Sequence, residues 1–211
     1  MLSYGRIHPI LLARPLPERN FRMRTHKFAK HLAFVLIFII LLASASACRT
    51  STEPSSAPEG CLEAKNDAVD FAFYYKDTWT LDRSDGMLAV KYNVGNSLTK
   101  QYATVSAQAF SLADSSQGAN DYWEQNKKDL QSAYGNLITF QVEKLETKLG
   151  GVVANRNRYT IVMSEVPFLF EQVLCVRYGN VYIVTLCVPE SKYQSVVEGF
   201  DTVVSSFRFL D

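Results

Sequence analysis

The sequence predicts an α+β fold: an antiparallel sheet sandwiched between helical layers. Three observations carry that expectation. Long β-patterned runs are separated by glycine-centred turn signals at Gly150-Gly151 and Gly179-Asn180. One run, VYIVTLCV from Val181 to Val188, is apolar or nearly so on both faces, as a central strand with a layer on each side of its sheet requires. Two segments, around 120–134 and 196–207, carry apolar residues at helical spacing and supply the covering layers.

The elements follow in order. AVDFAFYY, Ala68 to Tyr75, sets Phe71, Phe73 and Tyr75 on one side at a period of two, a half-buried strand. LDRSDGML turns at Asp85-Gly86, and MLAVKYN from Met87 returns as a second strand. YATVSAQAF, Tyr102 to Phe110, is a third. SLADSSQGAN is a loop, after which Asn120 or Asp121 caps a helix running to about Tyr134, with Trp123, Leu130 and Tyr134 as its core face. LITFQVEKLETKL and VVANRNRYTIVM form a hairpin about Gly150-Gly151, and FLFEQVLCVRY and VYIVTLCV form another about Gly179-Asn180. Pairing Tyr178 with Val181 sets Cys175 opposite Val184 and Cys187 opposite Gln172. Those positions differ in parity, so the two cysteines face opposite sides of the sheet and do not bond to each other. The final segment carries Val196, Val197, Phe200, Val203, Val204 and Phe207 as a helical stripe that packs on the sheet. The expected order is three strands, a helix, four strands and a helix. Residues 61–211 form one domain, long enough to bury a core without staples.

What precedes the domain reads as an export signal. LAFVLIFIILLA, Leu32 to Ala43, is an uncharged apolar run behind the basic patch Arg22, Arg24, Lys27 and Lys30. A basic region, an apolar core and a small-residue exit make a cleavable signal rather than a spanning helix. Met23 would begin a signal of ordinary length, so residues 1–22 are expected to precede the true start. The exit Ala45-Ser46-Ala47 satisfies ordinary signal-peptidase cleavage, which would give a secreted protein. Followed directly by Cys48, the same residues resemble a bacterial lipobox with Ala45 where Leu is usual. That resemblance implies a Cys48 acylated on sulfur at the mature N-terminus. RTSTEPSSAPEG, Arg49 to Gly60, is too poor in aliphatic residues to fold and reads as a tether. The expected organisation is therefore a signal over residues 1–47, a lipidated cysteine and linker over 48–60, and the domain over 61–211. The expected location is the extracytoplasmic face of a bacterial cell membrane.

Composition then excludes several classes. Residues 1–47 hold seven of the 22 Lys/Arg and one of the 21 Asp/Glu, so the mature chain is acidic by about five charges. An acidic domain without basic blocks is a poor nucleic-acid binder. All three histidines, His8, His26 and His31, lie in the segment to be removed. Ser-His-Asp and Cys-His catalysis and His-containing zinc sites are thereby excluded from the mature chain. With Cys48 acylated, Cys61, Cys175 and Cys187 allow at most one disulfide, and no CxxC indicates a redox or thiolate-metal site.

YGNVYIVTLCVPESKYQSVVEGFDTVVSSFRF resembles the end of PsbP-like domains, the DcrB-type bacterial lipoproteins among them, in which a Gly-turn strand leads through a Pro/Glu helix start to a SFRF-like ending. FAFYYKDTWTL, Phe71 to Leu81, is similar to the aromatic opening of the same domains. The resemblance implies an α-β-α sandwich in a lipid-anchored or extrinsic accessory protein, and it supplies no catalytic residues.

Few residues offer themselves as a site. Ser97 to Lys100 matches S-x-x-K, but without the KTG and SDN partners that such enzymes carry. Asp82 and Asp85 beside Gly86 lack the alternating ligands of a calcium loop. Arg156 and Arg158 share one face of a strand, about 7 Å apart, where they could clamp a carboxylate, a phosphate or a partner, or simply face acidic neighbours. The chain is expected to be a non-enzymatic binding or assembly module held to the membrane by its N-terminal lipid. The alternative is a small-ligand receptor or carrier with a pocket between sheet and helix. Its expected partner is an envelope protein or a small ligand, and no cofactor or metal is expected.

Overall fold

The computed structural model describes residues 57–66, 69–82, 87–96 and 101–210. The signal, Cys48, most of the linker, the Asp85-Gly86 turn and the Ser97–Lys100 motif lie outside them. The described elements are β1 (Cys61–Lys65), β2 (Phe71–Lys76), β3 (Thr80–Asp82), β4 (Leu88–Asn93), β5 (Tyr102–Ser111), α1 (Ala119–Tyr134), β6 (Ile138–Leu149), β7 (Val152–Met163), β8 (Val166–Arg177), β9 (Asn180–Pro189), α2 (Val197–Ser206) and β10 (Arg208–Phe209). A 3-10 segment, Glu190–Ser195, links β9 to α2.

The main sheet has seven strands in the order β3-β4-β5-β9-β8-β7-β6, with antiparallel neighbours throughout. The central position of VYIVTLCV is borne out, since β9 is the fourth strand of seven. Its alternate residues feed two separate cores. Tyr182, Val184, Leu186 and Val188 enter one, and Val181 and Ile183 the other.

The covering layers depart from two plain helical layers. A second sheet, β1-β2-β10, lies with α2 on the first face. The sequence reading assigned no strand to CLEAK, which pairs with β2 from Cys61↔Lys76 to Lys65↔Ala72. β2 is accordingly buried on both sides, Ala72 and Tyr74 as well as Phe71, Phe73 and Tyr75. The C-terminal stripe is as expected: Val196, Phe200, Val203, Val204 and Phe207 are all buried. Gly199 admits this packing, because a Cβ there would stand 2.6 Å from the Trp79 ring.

Three local expectations are corrected. The α1 N-cap is Gly118, not Asn120 or Asp121; the Asp121 carboxylate accepts from the Gly118 amide at 3.0 Å, while Asn120 is spent on the sheet below. Of Trp123, Leu130 and Tyr134 only Trp123 is fully buried; Leu130 packs half-buried against the same apolar cluster, and Tyr134, in the last turn, is 36% exposed. The β8–β9 turn is centred on Tyr178-Gly179, with φ of 51° and 73°, rather than on Gly179-Asn180. A two-residue hairpin turn of this hand needs positive φ at both central residues, so Arg177 pairs with Asn180. Cys175 therefore faces Tyr182 and Cys187 faces Phe170. The parity conclusion survives the shift. Cys61, Cys175 and Cys187 are all free thiols.

Candidate functional site

Strand alternation places Arg156 and Arg158 on the α2 side of β7, as the sequence suggests. Glu171 of β8 stands directly opposite Arg158 and is only 1% exposed. Arg156 donates from Nε to Glu171 Oε1 at 2.5 Å, and from a terminal nitrogen to Asp201 of α2 at 2.9 Å. Arg158 donates to the same Glu171 oxygen at 3.0 Å and to the Tyr193 hydroxyl at 2.6 Å. The Arg156 guanidinium also lies over Phe200, and that of Arg158 over Tyr193. Two cations and two anions thus join β7, β8, the 3-10 segment and α2.

A carboxylate in an apolar layer is costly unless paired. Burial pushes the Glu171 carboxyl up, but the hydrogen bonds from Arg156 and Arg158 with the nearby Tyr193 hydroxyl outweigh it and hold the group below its ordinary range. Burial and the adjoining carboxylate push the Tyr193 hydroxyl up to about 12. Glu171 Oε2 and Arg158 Nε remain buried without a hydrogen-bond partner among the described residues. Beside the cluster runs an open hollow lined by Glu146, Thr147, Lys148, Arg156, Asp201, Val204 and Ser205. Of the two readings of the arginine pair, a clamp for an anion or a face turned to acidic neighbours, the geometry is the second: both arginines donate to Glu171 of the neighbouring strand. Sequence reading missed that carboxylate, because only the β7–β8 register puts Glu171 beside them.

The opposite face carries a second polar cluster that sequence reading also missed. Asn157, fully buried, accepts from the Lys144 amide at 2.7 Å and donates to Asn155 at 2.6 Å. Asn155 in turn donates to Asn120 of α1 at 3.0 Å. These amides fill the register break in β6, where Lys144 takes a φ of 53°. Gln172 donates to Thr185 at 3.3 Å, and Lys127 pairs with Glu143 at 2.6 Å. The sequence did offer a signal: NRN puts both asparagines on the face opposite the arginines.

Among the described residues no three His, Cys, Asp or Glu side chains gather as metal ligands, and no helix is long and apolar enough to cross a membrane.

No family model and no curated protein matches the chain. Solved structures do. The solution structure of cyanobacterial PsbP (CyanoP) from Synechocystis sp. PCC 6803 matches with a TM-score of 0.51 at 14% identity, over 75% of this chain and 98% of that one. The crystal structure of LpqN, involved in cell envelope biogenesis of Mycobacterium tuberculosis, matches with a TM-score of 0.46 at 13% identity, over 72% of this chain and 92% of that one. At such identities the likeness is one of fold, and it agrees with the aromatic opening and SFRF ending read in the sequence: this chain has the PsbP-like fold.

Proposed function

We propose that this chain is a bacterial lipoprotein, held at the extracytoplasmic face of the cell membrane through Cys48, whose domain is a non-enzymatic binding or assembly module. The observation that carries the module reading is that the cores between the layers are filled, the hollow between α2 and the β6–β7 hairpin being open to solvent and lined largely by polar and charged residues. A carrier needs an enclosed pocket between sheet and helix. On the α2 side, Phe71 stacks on Phe207 at 5.2 Å and meets Tyr182 edge-on at 6.2 Å, with Phe200 and Val203 fully buried beside them. On the α1 side, Trp123 closes against Tyr159 and Phe140. Recognition then falls to the outer surface. The anchor rests on the order of sequence features: basic patch, apolar run, small-residue exit, Cys48, and a Ser/Thr/Pro/Glu linker that reaches the first described strand at Cys61.

Intact mass of the protein from membrane and medium, for wild type and Cys48→Ser, tests the anchor. The expected membrane-bound chain begins at Cys48 with an added diacylglycerol mass, and the variant loses both. A soluble, unmodified chain beginning at Cys48 would make it a secreted protein. Chemical cross-linking in intact cells tests the module, and failure to recover any reproducible partner would count against it.

A further inference from the structure

We propose that the outer edge of β6 is an interface between two copies of this chain, paired about a two-fold axis at Thr147. This deepens the assembly reading above and rests on it. β6 ends the seven-stranded sheet, and among the described residues no strand pairs with its outer side. An unpaired edge is a row of backbone donors and acceptors that takes another strand. The register break between Phe140 and Leu145, with Lys144 at a φ of 53°, divides this edge. Bulges of that kind ordinarily block edge pairing. Beyond this one, however, Leu145 to Leu149 run in unbroken register with β7 up to the Gly150-Gly151 turn.

That turn decides which backbone groups face outward. Gly150 and Gly151 have φ of 57° and 81°, a two-residue primed turn, so Leu149 and Val152 form its closing hydrogen-bonded pair. Hydrogen-bonded and non-hydrogen-bonded pairs alternate along antiparallel strands. Leu145, Thr147 and Leu149 therefore bond inward to β7, while Glu146 and Lys148 turn their N–H and C=O groups outward. The hollow beside α2 reaches this stretch, with Glu146, Thr147 and Lys148 along its wall, so α2 leaves the edge open.

The five residues read Leu-Glu-Thr-Lys-Leu, which complements itself when reversed. Antiparallel pairing centred on Thr147 sets Glu146 opposite Lys148 of the partner subunit, and Lys148 opposite Glu146 of the partner subunit. These are the outward-bonding positions, so charge and backbone pairing agree on one register. Thr147 meets Thr147 of the partner subunit as a close non-hydrogen-bonded pair, and Leu145, 57% exposed, comes beside Leu149 of the partner subunit. Glu146 and Lys148 are exposed and form no ion pair among the described residues. The charges around them are already spent: Lys144 on Glu124, Lys127 on Glu143 and Asp201 on Arg156. An axis normal to the sheet puts both small sheets on one face, so both Cys61 residues lie on the side turned to a common membrane. Five residues make a short interface, and the anchors strengthen it by concentrating the copies.

The test places a cysteine at Thr147, or at Thr139 before the bulge, in the full-length chain in membranes of its own cells. Mild oxidation is expected to give a disulfide-linked dimer from Thr147→Cys, and no more from Thr139→Cys than the native thiols give in wild type. Lys148→Glu in the Thr147→Cys chain sets like charges opposite each other and cuts the dimer about tenfold. Adding Glu146→Lys restores opposite charges, and the dimer returns. Equal yields from both positions, no dimer from Thr147→Cys, indifference to Lys148→Glu or a loss that Glu146→Lys does not reverse would each overturn the proposal. So would a disulfide-linked adduct to a different protein in place of the dimer. The module reading fails separately, only if cross-linking in intact cells also recovers no partner.

Discussion

The two faces of the seven-stranded sheet are built on different principles. The α2 face is a closed apolar layer in which one carboxylate is held by two arginines. The α1 helix has a single fully buried side chain, Trp123; Ala119, Tyr122 and Leu130 pack half-buried against the same cluster, and amides and ion pairs add Asn120 to Asn155, Lys127 to Glu143, and Lys144 to Glu124. Apolar burial contributes roughly 1.5–3 kcal/mol per large side chain, whereas exposed ion pairs contribute about 0–1 kcal/mol. The α2 layer should therefore unfold only with the whole domain, while α1 can open on its own. A sheet of this kind keeps one side rigid and leaves the other free to adjust.

The largest effect sharpens that contrast. Phe200→Ala, which empties a fully buried ring site under α2, is expected to cost about 3–5 kcal/mol in denaturant unfolding. Trp123→Ala removes a side chain of similar burial, yet its effect is expected chiefly as faster amide exchange confined to residues 119–134. Equal global losses from both substitutions would erase the distinction.

Next comes the buried charge. Glu171→Gln leaves two arginines facing a neutral amide; because their side chains stay 21% and 29% exposed and can hydrate, the expected loss is about 1–3 kcal/mol, below that of a fully buried pair. Its pH signature is specific. The Glu171 carboxyl titrates lower in the folded chain than its ordinary value of 4.5, so its stabilisation is full above the unfolded value and fades as pH falls through the folded one. Unfolding followed below pH 4.5 should show wild type losing its advantage over Glu171→Gln. A constant difference at all acid pH values would mean that the carboxylate charge is not what stabilises.

Gly199→Ala drives a methyl group toward Trp79 and is expected to cost about 1–3 kcal/mol by overpacking, read as a lower Tm. The smallest effect belongs to the amide cluster on the α1 face. Asn157→Ala removes the acceptor for the Lys144 amide and should cost about 1–2 kcal/mol, with the exchange increase centred on the β6 bulge and α1.

The same contrast explains what the sequence disclosed. Period and turn chemistry made the α2 side legible: VYIVTLCV declared itself central, and the stripe from Val196 to Phe207 declared its helix. The elements that went unread carry little periodic signal. CLEAK is five residues with two charges, and it becomes a strand only because β2 offers it an edge. The β8–β9 turn moved by one residue because Tyr178, a poor residue for positive φ, takes the place that Asn180 was expected to help fill. The arginine pair was visible at period two, but Glu171 entered the cluster through register alone. The amides under α1 depend on a bulge at Lys144 that no local pattern announces.

Native-state hydrogen exchange on the wild-type chain tests the central comparison most directly. The prediction is that amides of β2, β9 and α2 exchange only by global unfolding, while those of α1 exchange through a local opening of clearly lower free energy. Uniform protection across α1 and α2, with the same denaturant dependence, would contradict it.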